Sequence, residues 1–155
     1  MLTFSSNLAQ PLVNRGLYRN GFSTFALTVY GGTRPSAAQV IANWVSTYNS
    51  ANSVDLITHY LSVVLNPNAN SGSYLNMAGS PAPVPSIRAG TATWAIMWNS
   101  NLAYASLSTT LPSTSFIIAD VTAFGGNGII TFENPAFTLG ESKPITSFHI
   151  SGAMA

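Results

Sequence analysis

General acid and base catalysis needs titratable side chains brought together. This chain offers four carboxylates, Asp55, Asp120, Glu133 and Glu141, and two imidazoles, His59 and His149. The carboxylates recur at no spacing that would pair them about a scissile bond. They read as turn and surface charges, with Asp120 closing an apolar run just where a turn-forming aspartate is expected. His59 and His149 fall in strand-like segments, and Asp55 or Glu133 would be needed to complete a metal site around them. No HxH or HExxH spacing supports such a site, so hydrogen-bonded strand histidines are the plainer reading.

Nucleophiles and phosphate cradles are no better supplied. Cysteine is absent, which removes disulfides, thiolate zinc sites and thiol nucleophiles together. Serines are plentiful, but no GxSxG elbow connects one to a histidine. The clusters Gly31-Gly32 and Gly125-Gly126-Asn127-Gly128 lack the GxGxxG and GxxxxGK patterns and read as turns. Five dispersed cations, Arg15, Arg19, Arg34, Arg88 and Lys143, make no basic stripe for nucleic acid. No apolar run approaches the roughly 20 residues that span a bilayer. The expectation is a protein without catalytic, cofactor or metal residues and without nucleic-acid or membrane partners. The first residues show no basic segment ahead of an apolar run, so cytoplasmic synthesis is expected.

Aromatic residues leave one further chemistry open. Trp44, Trp94, Trp98 and six tyrosines could stack on sugars. Trp44 belongs to a helical stripe, and Trp94 and Trp98 share one face of a strand, so core packing competes with that role. The alternative reading is a lectin-like module that contacts host glycans through Trp98 and Tyr104.

The elements that would position these groups are mostly strands. Residues 22–30 alternate with a period of two and run into Gly31-Gly32-Thr33-Arg34-Pro35, a strand followed by a turn. Ser36 with Gln39 forms a capping box. Behind it Ala37, Val40, Ile41, Trp44, Val45 and Tyr48 recur at helical spacing, predicting one amphipathic helix over 36–48 that packs its stripe on a sheet. Residues 55–65 alternate again, with Ile57, Leu61, Val63 and Leu65 on the face that carries His59.

Residues 66–85 form a long Pro- and Asn-rich loop with no charge. Further strands are expected at 92–98, 102–107, 116–121, 129–132 and 145–150, separated by Gly, Asn or Pro. Short strands at this spacing predict an antiparallel β-sandwich, jelly-roll-like or Ig-like, over residues 22–155. Residues 1–21 are expected to form an arm or edge segment.

Charge is the composition's most unusual property. Asp, Glu, Lys and Arg make up 6% of 155 residues and leave a formal charge of +1, against roughly a quarter charged residues in ordinary domains. Hydrophobic content is an ordinary 46%, so Ser, Thr, Asn and Gly replace the charges. Little self-repulsion keeps copies apart. A symmetric homo-oligomer is expected, with Leu2, Phe4, Leu8, Leu12 and Leu17 of the arm and Tyr74, Leu75 and Met77 of the long loop as candidate interface residues.

The stretches VYGGTRPSAAQVIANW (29–44) and GTATWAIMWNSNLAYASL (90–107) resemble small structural proteins of tailed bacteriophages. In these, a strand enters a Tyr-Gly and Arg-Pro turn and a Gly-Thr-Ala-Thr-Trp hairpin follows. The segment 117–150 is similar to their usual ending of strands separated by glycine turns. The resemblance implies a non-enzymatic virion component of the tail, baseplate or neck, or a capsid decoration protein. It would be assembled in the host cytoplasm and would contact other virion proteins and its own copies.

Overall fold

The computed structural model describes residues 24–64, 74–76, 81, 84–99, 102, 107, 110–113, 115–126 and 128–151. The expected arm and most of the long loop lie outside these residues. The described chain is mainly β. Its strands are β1 (Thr24–Tyr30), β2 (Leu56–Val64), β3 (Tyr74–Asn76), β4 (Gly90–Thr91), β5 (Trp94–Trp98), β6 (Phe116–Ala123), β7 (Ile130–Phe132), β8 (Ala136–Phe137) and β9 (Ser147–Ser151). Seven form one sheet in the order β2-β1-β5-β6-β7-β9-β3, and β4 pairs with β8 in a small second sheet. The strand expected at 102–107 falls largely outside the described residues. Neither Leu102 nor Leu107, which are described, is in a strand.

The large sheet curls. Phe25 of β1 and Phe148 of β9 are four strands apart in the sheet, which would separate them by roughly 19 Å if it were flat. Their ring centroids are 5.5 Å apart. Tyr60 of β2 and Phe132 of β7 are also four strands apart, and their rings approach to 6.1 Å. The bend occurs along β6. Phe116 to Asp120 pair antiparallel with β5, and Val121 to Ala123 pair instead with β7. The concave face thus closes on itself around a core that includes Phe25, Leu27, Val29, Tyr60, Phe132, Phe137 and Phe148.

One strand pair departs from the expected antiparallel pattern. β6 and β7 are parallel, with Val121 opposite Ile130, although parallel neighbours ordinarily need a dozen or more connecting residues. Glycine makes the short route possible. Gly126 N–H closes a turn on Ala123 O, Gly125 adopts φ +86°, and Gly128 N–H donates to Thr122 Oγ1. A Cβ at Gly126 or Gly128 would lie 2.6 or 2.8 Å from Thr122 Oγ1, so the loop folds back over Thr122 only because these side chains are missing. The glycine cluster is a turn as expected, but it lays the chain parallel and not as a hairpin.

β2 corrects a second expectation. Tyr30 lies opposite Leu56 while Val29 lies opposite Thr58, and Phe25 lies opposite Val63 while Leu27 lies opposite Tyr60. Each irregularity inserts residues into β2 and shifts its phase; the second includes Ser62 at φ +55°. Consequently Ile57, Tyr60 and Val63 enter the concave core. His59 instead lies opposite Thr28, and Leu61 is partly exposed. Strict alternation had put His59, Ile57, Leu61 and Val63 on one face.

The expected helix begins as its sequence specifies. Ser36 accepts from Gln39 N–H and the Gln39 side chain accepts from Ser36 N–H, capping α1 (Ala37–Ala42). The chain continues as a π-helical turn over Trp44–Tyr48, closed by Asn49 N–H on Trp44 O. Val40 and Trp44 are buried on the convex face of the sheet, with Tyr48 packed beside them. Ile41 and Val45 are 57% and 58% exposed. Only the ridge 40-44-48 meets the sheet, and the adjoining ridge 41-45 points outward, so the expected stripe is half buried and half free.

Candidate assembly surface and buried polar relay

On the convex face the aromatic residues form a layer. Tyr30 stacks on Trp94 with centroids 4.2 Å apart and planes 6° from parallel. Tyr48 meets Trp94 edge-on, Trp44 meets Trp98 edge-on, and Phe116 packs on Trp98. Three of the polar heads find partners within the layer, as buried indoles and phenols ordinarily do, while the buried Trp44 Nε1 has none among the described residues. Trp94 Nε1 donates to Gly31 O at 2.7 Å, and the Tyr30 hydroxyl donates to Tyr48 O at 3.0 Å. Trp98 is 0% exposed, and its Nε1 donates to Thr28 Oγ1 at 2.9 Å. A ring so covered offers no face to a sugar, which removes the anchor of the lectin-like alternative. Tyr104 lies outside the described residues.

Thr28, His59 and Leu102 continue this network. His59 Nδ1 is 3.1 Å from Thr28 Oγ1, and His59 Nε2 is 2.8 Å from Leu102 O. A hydroxyl, an imidazole and a group orienting that imidazole are the parts of an activated nucleophile. Here, however, Thr28 and His59 are buried, and the Thr28 oxygen already receives the Trp98 indole. The arrangement as it stands gives a substrate no route to the hydroxyl. Burial pushes the His59 imidazole below its ordinary basicity, partly opposed by the Leu102 carbonyl.

The carboxylates are placed apart. Asp120 receives Arg34 Nη1 at 2.9 Å while Arg34 Nη2 reaches Ile118 O, tying the turn after β1 to β6. Glu141 accepts from Thr138 N–H at 2.8 Å and faces Lys143 at 3.3 Å. The Asp55 carboxylate lies over Gly32, and Glu133 is exposed. Among the described residues no group of three His, Asp or Glu could hold a metal ion. His149 stands in β9 opposite Asn76.

Exposed apolar residues are the more distinctive surface feature. Between Arg34 and Asp55 the sequence holds no charge. The outward ridge of this segment presents Ile41 and Val45 beside the exposed Ala37, Ala38 and Ala42. Elsewhere Val54, Phe124 and Leu139 project at loop tips, and Leu61 and Val64 are partly exposed on β2, an outer strand of the sheet.

Of the interface residues expected from sequence, Leu2, Phe4, Leu8, Leu12, Leu17 and Met77 lie outside the described residues. Tyr74 and Leu75 lie in β3, the outermost strand at the other end, opposite Ser151 and Ile150. Ile41 and Val45 were missed because helical periodicity assigned them to the packed stripe. The signal that could have separated them is the four-residue spacing of Val40, Trp44 and Tyr48, which alone makes one ridge.

Comparison of the chain with family models, curated proteins and solved structures finds no match.

Proposed function

We propose that this chain is a non-enzymatic structural component of a tailed-phage particle, working through contacts with its own copies and with other virion proteins. The observation that carries the self-association part is the uncharged outward ridge of residues 37–45, with Ile41 and Val45 more than half exposed on a chain of net charge +1. Apolar surface left without charge around it favours coverage by another protein. The place in a virion rests on the resemblance of residues 29–44, 90–107 and 117–150. A tail, baseplate, neck or capsid-surface position, reached after assembly in the host cytoplasm, is part of the same reading. So is the two-layer sandwich, in which β1 and β2 would form one wall of the concave core and β7 and β9 the other.

Light scattering at micromolar concentration tests the self-association directly. A defined oligomer that persists in 1 M salt is expected, because screening weakens charge pairs and leaves apolar contacts intact. Ile41→Glu with Val45→Glu should shift the mass toward the monomer without changing the far-UV circular dichroism. A wild-type monomer, or an oligomer indifferent to both substitutions, would sink the role given to this ridge.

A further inference from the structure

The outward ridge of residues 37–45 is apolar, and an acid stands on its approach. Asp120 is taken by Arg34 at 2.9 Å and Glu141 by Lys143 at 3.3 Å. Asp55 and Glu133 are exposed and make no ion pair among the described residues. The Asp55 carboxylate sits over Gly32, in the turn that leads to the cap of α1 at Ser36. Val54, the residue before it, is 77% exposed. A partner that covers this surface should bring apolar side chains and a cation.

One segment of this same chain has that composition. Residues 1–23, ahead of β1, hold Leu2, Phe4, Leu8, Leu12 and Leu17, and their only charges are Arg15 and Arg19. No Asp or Glu precedes Asp55. The rest of the chain sets three cations against four acids, so a segment of formal charge +2 belongs to a body of −1.

The point where the segment leaves the body favours a neighbouring copy. It joins β1 at Thr24, opposite Val64, while Gly32 lies beyond the other end of that strand. From Thr24 to Tyr30 the strand rises roughly 20 Å, and the chain from Arg19 to Thr24 spans at most roughly 18 Å. Within one molecule Arg19 could meet Asp55 only with that link drawn straight along β1. A second copy imposes no such stretch.

We propose that the N-terminal segment of one copy covers the outward ridge of the next, its leucines on Ile41 and Val45 and Arg15 or Arg19 paired with Asp55. This rests on the self-association proposed above and names the part of the neighbour that fills the surface. Donor segment and receiving ridge are different parts of the chain, so the contact is head-to-tail and repeats from copy to copy, closing into a ring or extending as a row. Salt leaves its apolar part intact, and the exposed ion pair contributes only a few-fold in affinity.

Cross-linking of the full chain tests the pairing, and the absence of native cysteine makes it clean. Leu12→Cys and Val45→Cys chains, mixed and oxidised at micromolar concentration, should give the 12–45 heterodimer as the main product by intact mass. A chain carrying both substitutions should give intermolecular products and little internally closed monomer. Leu8→Glu with Leu12→Glu should lower the light-scattering mass as Ile41→Glu with Val45→Glu does. Arg15→Gln with Arg19→Gln should weaken association about twofold to fivefold at low salt, and that weakening should vanish in an Asp55→Asn background. Mainly 45–45 dimers, mainly closed monomer, or a full arginine effect without Asp55 would overturn the proposal. If the ridge substitutions dissociate the oligomer and the leucine substitutions do not, the ridge remains an interface and the N-terminal segment is not its occupant. If neither pair does, both readings fall.

Discussion

Thr28 carries no charge and no exposed surface, yet its one oxygen serves both Trp98 and His59. Valine has nearly its shape and none of its hydrogen bonding, so Thr28→Val would strand a buried indole N–H and leave His59 Nδ1 without the hydroxyl. Unsatisfied buried groups cost roughly 1–3 kcal/mol each. A loss of about 2–4 kcal/mol is expected from urea unfolding, with Thr28→Ser losing much less; a Thr28→Val chain as stable as the wild type would show that the hydroxyl does not hold this network. Glu141 carries a pH dependence at an exposed site. The Thr138 N–H, helped by Lys143, holds its carboxyl below the usual carboxylate range. Its folded form therefore binds a proton less readily than its unfolded form, so its contribution is complete above about pH 4.3 and lost as pH falls through the folded value. In Glu141→Gln, thermal melts recorded from pH 6 to pH 3 should fall less steeply than those of the wild type.

Elements were legible where local chemistry alone decides them. The Ser36–Gln39 box, the strand before Gly31 and the strands around 94–98, 116–123 and 147–151 follow from caps, turns and alternation, because neighbouring residues suffice to specify them. What sequence could not carry was phase and partnership. In β2 the irregularity between Leu56 and Thr58 places Ile57 and His59 on opposite faces, the one between Tyr60 and Val63 keeps those two on one face, and nothing in the alternation of residues 55–65 records an extra residue opposite β1. The same holds for the site: Trp98 has the residue type of a sugar platform and is followed in sequence by Asn, Ser and Asn, but its burial depends on Trp44, Thr28 and Phe116 from three other elements. The glycine cluster is the sharpest case, because a turn and a parallel return look alike in sequence. Gly126→Ala would drive a Cβ to 2.6 Å from Thr122 Oγ1 and 3.0 Å from Ala123 O, and overpacking of that kind costs about 1–3 kcal/mol. Chemical denaturation should show that loss. A neutral substitution would mean that residues 124–129 do not lie on Thr122, and the parallel β6–β7 pair would lose its explanation.

For the whole molecule the curl of the sheet is the property from which the rest follows, since it turns one face into an enclosed core and leaves the other for the helical segment. It also makes a prediction that no flat sheet shares. Phe25 and Phe148 are separated by three intervening strands in the hydrogen-bonded order, so in an open sheet their truncations would act independently and their costs would add. In the curled sheet the rings touch, at a centroid separation of 5.5 Å and 42° between planes. Each single change, Phe25→Ala or Phe148→Ala, should cost about 3–5 kcal/mol, as buried phenylalanines do. Tilted aromatic pairs contribute about 0.5–1.5 kcal/mol beyond the area they bury. The double variant should therefore lose less than the sum of the singles by at least that amount. Where such losses would unfold the chain, Phe→Leu at both positions gives the same cycle at lower cost. A coupling energy near zero would mean that β9 does not fold back over β1, and the concave core would have to be redrawn as two separate walls.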